Sequence, residues 1–131
     1  MPTPHTPNGG ARAYTMLVQL SGDHTATTAN LARVKLNGRH MILGMDAVAR
    51  ASTGTGQSCA LTLSVDGASL LVAPLGITST AVTSATMVNV PSTGGLRPAV
   101  ADEGVLSIGA TLAGTSPVYK DISVSLHLVR A

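Results

Sequence analysis

The chain has 131 residues, 44% of them hydrophobic and only 11% charged, with a net charge of +2. A charged share under half the ~25% of an average domain argues against disorder, and a weak positive balance without any Lys/Arg run argues against nucleic-acid binding. No stretch reaches the ~18 apolar residues of a membrane helix, so the expectation is one folded domain that engages neither membrane nor nucleic acid.

The first residues, MPTPHTPNGG, place three prolines within seven positions and lack the apolar centre of a signal peptide. They are read as an extended arm over residues 1–11, ahead of a β domain over residues 12–131. Proline pre-extends a chain and lowers the cost of ordering it against a partner. Pro2, Pro4, His5, Pro7 and the adjoining Arg12 are therefore candidate partner contacts.

ARAYTMLVQL follows, with Tyr14, Met16, Val18 and Leu20 on one side of a period-two run, the signature of a half-buried strand. ARVKLNGRHMIL sets Asn37-Gly38 between two semi-alternating runs, a strong hairpin signal because both residues tolerate positive φ. Asp46-Ala-Val-Ala-Arg50 is the one place where a short helix is expected, with Asp46 as its cap. STGTGQS, residues 52–58, reads as a flexible connector; it lacks the Lys-Ser/Thr that a phosphate-binding loop carries after its second glycine.

CALTLSVDGASLLVAP repeats the hairpin device at Asp66-Gly67, with Cys59, Leu61, Leu63 and Val65 on one face. AVTSATMVNV is read as another strand, with Val82, Thr86, Val88 and Val90 aligned. PSTGGLRPAVADEG, residues 91–104, reads as a polar surface loop, and its Arg97 is a further candidate partner contact. The last stretch, VLSIGATLAGTSPVYKDISVSLHLVRA, reads as a third hairpin turning at Gly114–Pro117. Its apolar faces carry Leu106, Ile108, Ala110 and Leu112 on one arm and Ile122, Val124, Leu126 and Leu128 on the other. About eight short antiparallel strands are predicted, near 12–20, 31–36, 39–45, 58–65, 68–73, 81–90, 104–113 and 118–130. The fold class is all-β: a single-domain β-sandwich or jelly-roll-like barrel with an N-terminal arm.

The residues that could do chemistry are scattered. Asp23-His24 are chain neighbours, which a strand points to opposite faces. His5, His24, His40 and His127 show no metal-ligand spacing, and the lone Cys59 lies in a strand pattern, where a buried, inert thiol is expected. His127, out of phase with Leu126 and Leu128, reads as an exposed or interface histidine. Met41 and Met45 read as packing, and Asp102-Glu103 as a solvated loop end. No enzyme activity, cofactor or metal is expected.

The proline-bearing arm, the Thr/Ser/Ala/Gly-rich β body and the closing GVLSIGATLAGTSPVYKDISVSLHLVR together resemble the head decoration, or cement, proteins of tailed bacteriophages. The resemblance implies a β-sandwich that binds the outer surface of a capsid at subunit junctions and stabilises the shell. It implies the major capsid protein and further copies of the chain itself as partners, as a trimer first and a dimer second. The location would be the virion's outer surface. The rival reading is a carbohydrate-binding, adhesin-like sandwich or another virion component such as a tail or spike protein. Two tyrosines are few for sugar stacking.

Overall fold

The computed structural model describes residues 13–88 and 99–130. The arm, Asn89–Pro98 and Ala131 lie outside them. Within the described residues the protein is all-β and helix-free, one antiparallel sheet of eight strands. These are β1 (Ala13–His24), β2 (Thr28–Lys35), β3 (His40–Val65), β4 (Ala68–Ser69), β5 (Leu75–Gly76), β6 (Thr83–Ser84), β7 (Ala99–Val100) and β8 (Val105–Arg130).

Two of them are far longer than expected. β3 and β8 each run 26 residues and pair with one another from His40↔Arg130 to Val65↔Leu106. On the other side of β8, β1 pairs with its C-terminal half and β2 with its N-terminal half. β1 and β2 thus form a third long track beside β8, interrupted at residues 25–27. The expected helix at Asp46–Arg50 is strand, the connector at 52–58 is strand, and Gly114–Pro117 is not a hairpin loop: all three lie inside β3 or β8.

The ribbon so formed would be about 85 Å long if straight, at ~3.3 Å per residue. It is not straight. β2 ends beside Val105, at one end of β8, while β3 begins beside Arg130, at the other. Only residues 36–39 join them, a link that reaches less than about 20 Å. The two ends must therefore meet, and the single sheet is folded over on itself. Asn37-Gly38 sits at that seam, so it does not close a hairpin between β2 and β3, which do not pair. Gly38 N donates to Asp102 Oδ1 across the seam at 2.7 Å.

The fold line falls where β3 and β8 carry positive-φ residues: Gly54 and Gly56 on one, Gly114 and Ser116 on the other. A Cβ on Gly114 would lie 2.7 Å from Gln57 Cα and from the Gly56 carbonyl oxygen. Only glycine allows the two strands to bend together there. By contrast Asp66 (φ 51°) and Gly67 (φ 81°) close a true two-residue hairpin between β3 and β4, as expected.

Folding the ribbon brings one face of both halves into one core. Ile42, Met45, Ala47 and Ala49 of β3 oppose Leu128, Leu126, Val124 and Ile122 of β8 in one half. Cys59, Leu61, Leu63 and Val65 oppose Leu112, Ala110, Ile108 and Leu106 in the other. The inner face read from the period-two runs is the observed one: Leu61, Leu63, Leu106, Ile108, Ile122, Val124, Leu126 and Leu128 are fully buried, with Val65 at the margin. Each such side chain contributes roughly 1.5–3 kcal/mol by leaving water. Leu70, Leu71, Leu75, Ile77 and Met87, from the segment after β3, close the core. In that segment, the described part of the expected strand at 81–90, residues 81–88, holds only the short strand Thr83–Ser84. Its buried residue is Met87, while Val82 is 63% exposed. The sheet path β1-β8-β3-β4 stays open, so the two-layered body is a folded sheet and not a closed barrel.

Among the described residues the buried polar side chain, His40, is satisfied within this frame. His40 donates from Nδ1 to the Gly38 carbonyl (2.9 Å) and accepts at Nε2 from the Tyr14 hydroxyl (2.6 Å). That pins β1 to the seam. Burial pushes the Cys59 thiol up to about 11, which suits the inert role expected of it.

Candidate functional site

The six residues expected to contact partners, Pro2, Pro4, His5, Pro7, Arg12 and Arg97, all lie outside the described residues. What the described residues do present is the outer face of the β1–β8–β3 half. Its register is a grid of three rows. Thr15, His127 and Gly44 lie side by side; then Leu17, Ser125 and Asp46; then Gln19, Ser123 and Val48. These positions alternate with the core residues, so their side chains stand on the opposite face of the sheet. The grid holds no Lys or Arg, and its one carboxylate is matched from within.

The matching group is His127, whose Nε2–H donates to Asp46 Oδ2 at 2.7 Å while its Nδ1 meets Thr15 Oγ1 at 3.1 Å. Ser84 of β6 donates to the other Asp46 oxygen at 2.6 Å. The Ser84 hydroxyl first, and His127 second, hold the Asp46 carboxyl below the ordinary carboxylate range. Hydroxyl, imidazole and carboxylate stand in the order of nucleophile, base and orienting group. Yet β8 is paired with β1 on one side and with β3 on the other throughout this stretch, so Ser125 and His127 lie inside a continuous ladder. The arrangement clasps four strands together and leaves the face's one carboxylate hydrogen-bonded at both oxygens.

A second row of polar contacts extends the clasp. Ser123 donates to Gln19 at 2.7 Å. Asp121 accepts from Gly22 N and from Arg50 Nε, both at 2.7 Å, at a bulge that ends the regular pairing of β1 after Leu20. Asp23-His24 make no dyad: His24 donates to the Leu20 carbonyl at 2.8 Å, and Asp23 faces Lys120 at 4.0 Å. Glu103, of the acidic pair, meets Lys35 at 3.1 Å. Among the described residues no three His, Cys, Asp or Glu side chains gather as metal ligands.

On the fold line, a cleft of about 690 Å³ is lined by Ser52, Gln57, Ser58, Thr78, Ser79, Thr80 and Tyr119, with Cys59 and Ile77 at its base. It contains hydroxyls and an amide but no charged group.

The sequence already placed His127 on the outward side of β8. Reading Asp46 as a helix cap hid its partner, 81 residues away. The available signal was parity: Asp46 is out of phase with Met45 and Ala47, just as His127 is with Leu126 and Leu128.

No family model matches the chain, and neither does any curated protein. Among solved structures, the chain is similar to one from T=1 particles derived from infectious bursal virus. The likeness covers 99% of this chain and 44% of that one, at 12% identity and a TM-score of 0.28. The chain thus spans less than half the length of that neighbour.

Proposed function

We propose that this chain is a structural virion protein that decorates the outer surface of a capsid, docking at capsomer junctions through the outer face of β1, β8 and β3. The observation that carries this reading is the grid itself: nine adjacent positions with no Lys or Arg and one carboxylate hydrogen-bonded at both oxygens, standing on a sheet whose other face is the core. Docking such a face buries one carboxylate, Asp46, whose two oxygens already accept hydrogen bonds from Ser84 and His127, and that lowers the cost of taking it from water. Leu17, 63% exposed at its margin, supplies apolar area to bury. Modest contacts of this kind become strong attachment when repeated over a symmetric lattice. The sequence resemblance to phage head decoration proteins points the same way, with the major capsid protein as partner.

Co-sedimentation with capsid shells of the virus that encodes the chain tests the proposal. The wild-type protein pellets with shells, and Ser125→Lys, which sets a long, strongly hydrated side chain at the centre of the grid, stays in the supernatant. Wild-type protein that never pellets, or Ser125→Lys that pellets equally, contradicts it.

The uncharged cleft at the fold line supports a second reading, a carbohydrate-binding module, since neutral hydroxyl-bearing ligands suit such a lining. Saccharide titration followed by nuclear magnetic resonance separates the two: shifts confined to Ser52, Ser58 and Thr78–Thr80 favour the module, and an unchanged spectrum removes it.

A further inference from the structure

The edges of this sheet are not alike. On the far side of β3 the sheet ends in β4, β5, β6 and β7, each two residues long, too short to template another strand. β2 forms the outer edge of the other half and carries Arg33 and Lys35, a charged guard against edge pairing. β1 has neither protection. It runs 12 residues, pairs among the described residues only with β8, and contains no Pro, Lys or Arg. Its first charge is Asp23, beyond the bulge that follows Leu20.

We infer that β1 is a self-pairing edge: two copies of the chain join antiparallel along Tyr14–Leu20, about a two-fold axis at Leu17 and perpendicular to the sheet. The evidence is the strand's own order of residues. Such an axis places Leu17 beside its copy and Thr15 beside Gln19 on the outer face. On the inner face it sets Met16 beside Val18 and Tyr14 beside Leu20. Every pair matches apolar with apolar or polar with polar, and no two like charges oppose. Met16 and Val18, only partly buried at the open flank of the core, gain the cover that β1 alone does not give them. Leu17, exposed in the single chain, gains a partner of its own kind. The two-fold operation also closes, so the product is a dimer rather than a growing filament. Both outer grids then face the same side, which doubles the docking surface, although the pairing itself does not depend on the shell.

Sedimentation equilibrium of the full chain in the absence of shells tests this, with thermal melts confirming that each variant is folded. The wild type is expected as a dimer at micromolar concentration. Leu17→Lys, which sets two ammonium groups side by side at the axis, raises the dimer dissociation constant about tenfold or more, and Leu17→Glu does likewise. An equimolar mixture of the two variants recovers the dimer, because the opposed charges now attract. A monomeric wild type, an oligomer that Leu17→Lys leaves unchanged, or no recovery in the mixture overturns the inference. A monomer that pairs through β1 only with a shell strand also overturns it while leaving shell docking intact. A dimer that never pellets with shells upholds the pairing and defeats the docking instead.

Discussion

The two faces of β8 differ in every respect that matters to the molecule. Even-numbered Ile122, Val124, Leu126 and Leu128 are fully buried and hold the folded sheet closed. Odd-numbered Ser123, Ser125 and His127, one step along the same backbone, lie half-buried and bond to side chains of β1 and β3 or stay free. One strand therefore carries stability on one side and, in the proposed role, contact on the other. A change that unfolds the protein and a change that only blinds it should sit next to each other in sequence.

Four substitutions sharpen that contrast, in falling order of their effect on stability. Leu126→Ala removes a fully buried side chain opposite Met45 and should cost about 2–5 kcal/mol in chemical denaturation. A loss near zero would mean the core face is misassigned. Gly114→Ala tests the bend that brings the two core halves together. The new methyl meets Gln57 and the Gly56 carbonyl at a φ of 107°, so a loss of about 1–3 kcal/mol is expected. Measured stability equal to wild type would show that the strands can bend elsewhere.

Asp46→Asn, on the outer face, removes a carboxylate that accepts from Ser84 and His127. The pair is partly exposed, so the expected loss is about 1 kcal/mol or less. Its pH dependence has a defined sign. The folded carboxyl titrates below its ordinary value of 3.8, so the contribution is complete above about pH 4 and is lost as pH falls through the folded pKa. The gap between wild type and variant should narrow on acidification below pH 4; a gap that widens there contradicts the assignment. Ser125→Lys should change stability by no more than about 0.5 kcal/mol, since the position is neither core nor clasp. Unfolding curves that separate it clearly from wild type would make Ser125 structural.

The same division explains how far the sequence could be read. Period-two alternation is a local property, so the core residues of β8 and of Cys59–Val65 were visible in it. The turn at Asp66-Gly67 was visible too, because a two-residue turn and the pair it closes, Val65 and Ala68, lie within four residues. Asn37-Gly38 carries an equally strong signal but joins strands that each choose β8 over each other: Lys35 pairs with Val105 and His40 with Arg130. Local turn chemistry cannot report which partner a strand takes. Likewise Asp46-Ala-Val-Ala-Arg50 has helix-friendly residues, yet pairing with Ser123, Val124 and Ser125 holds it extended. The clasp was out of reach for the same reason: Thr15, Asp46 and His127 meet only once three separated strands are in register. The two-residue strands β5 and β7 are too short to leave any periodic trace.

The proposal that the outer grid meets a shell is tested most directly by a reconstruction of capsids saturated with the protein. Density for this chain is expected at capsomer junctions, with Leu17, Ser125 and Asp46 turned toward the shell and the hydroxyl-lined cleft at the fold line free. Density in which that grid faces solvent, or capsids that carry none of the protein at saturation, would contradict it.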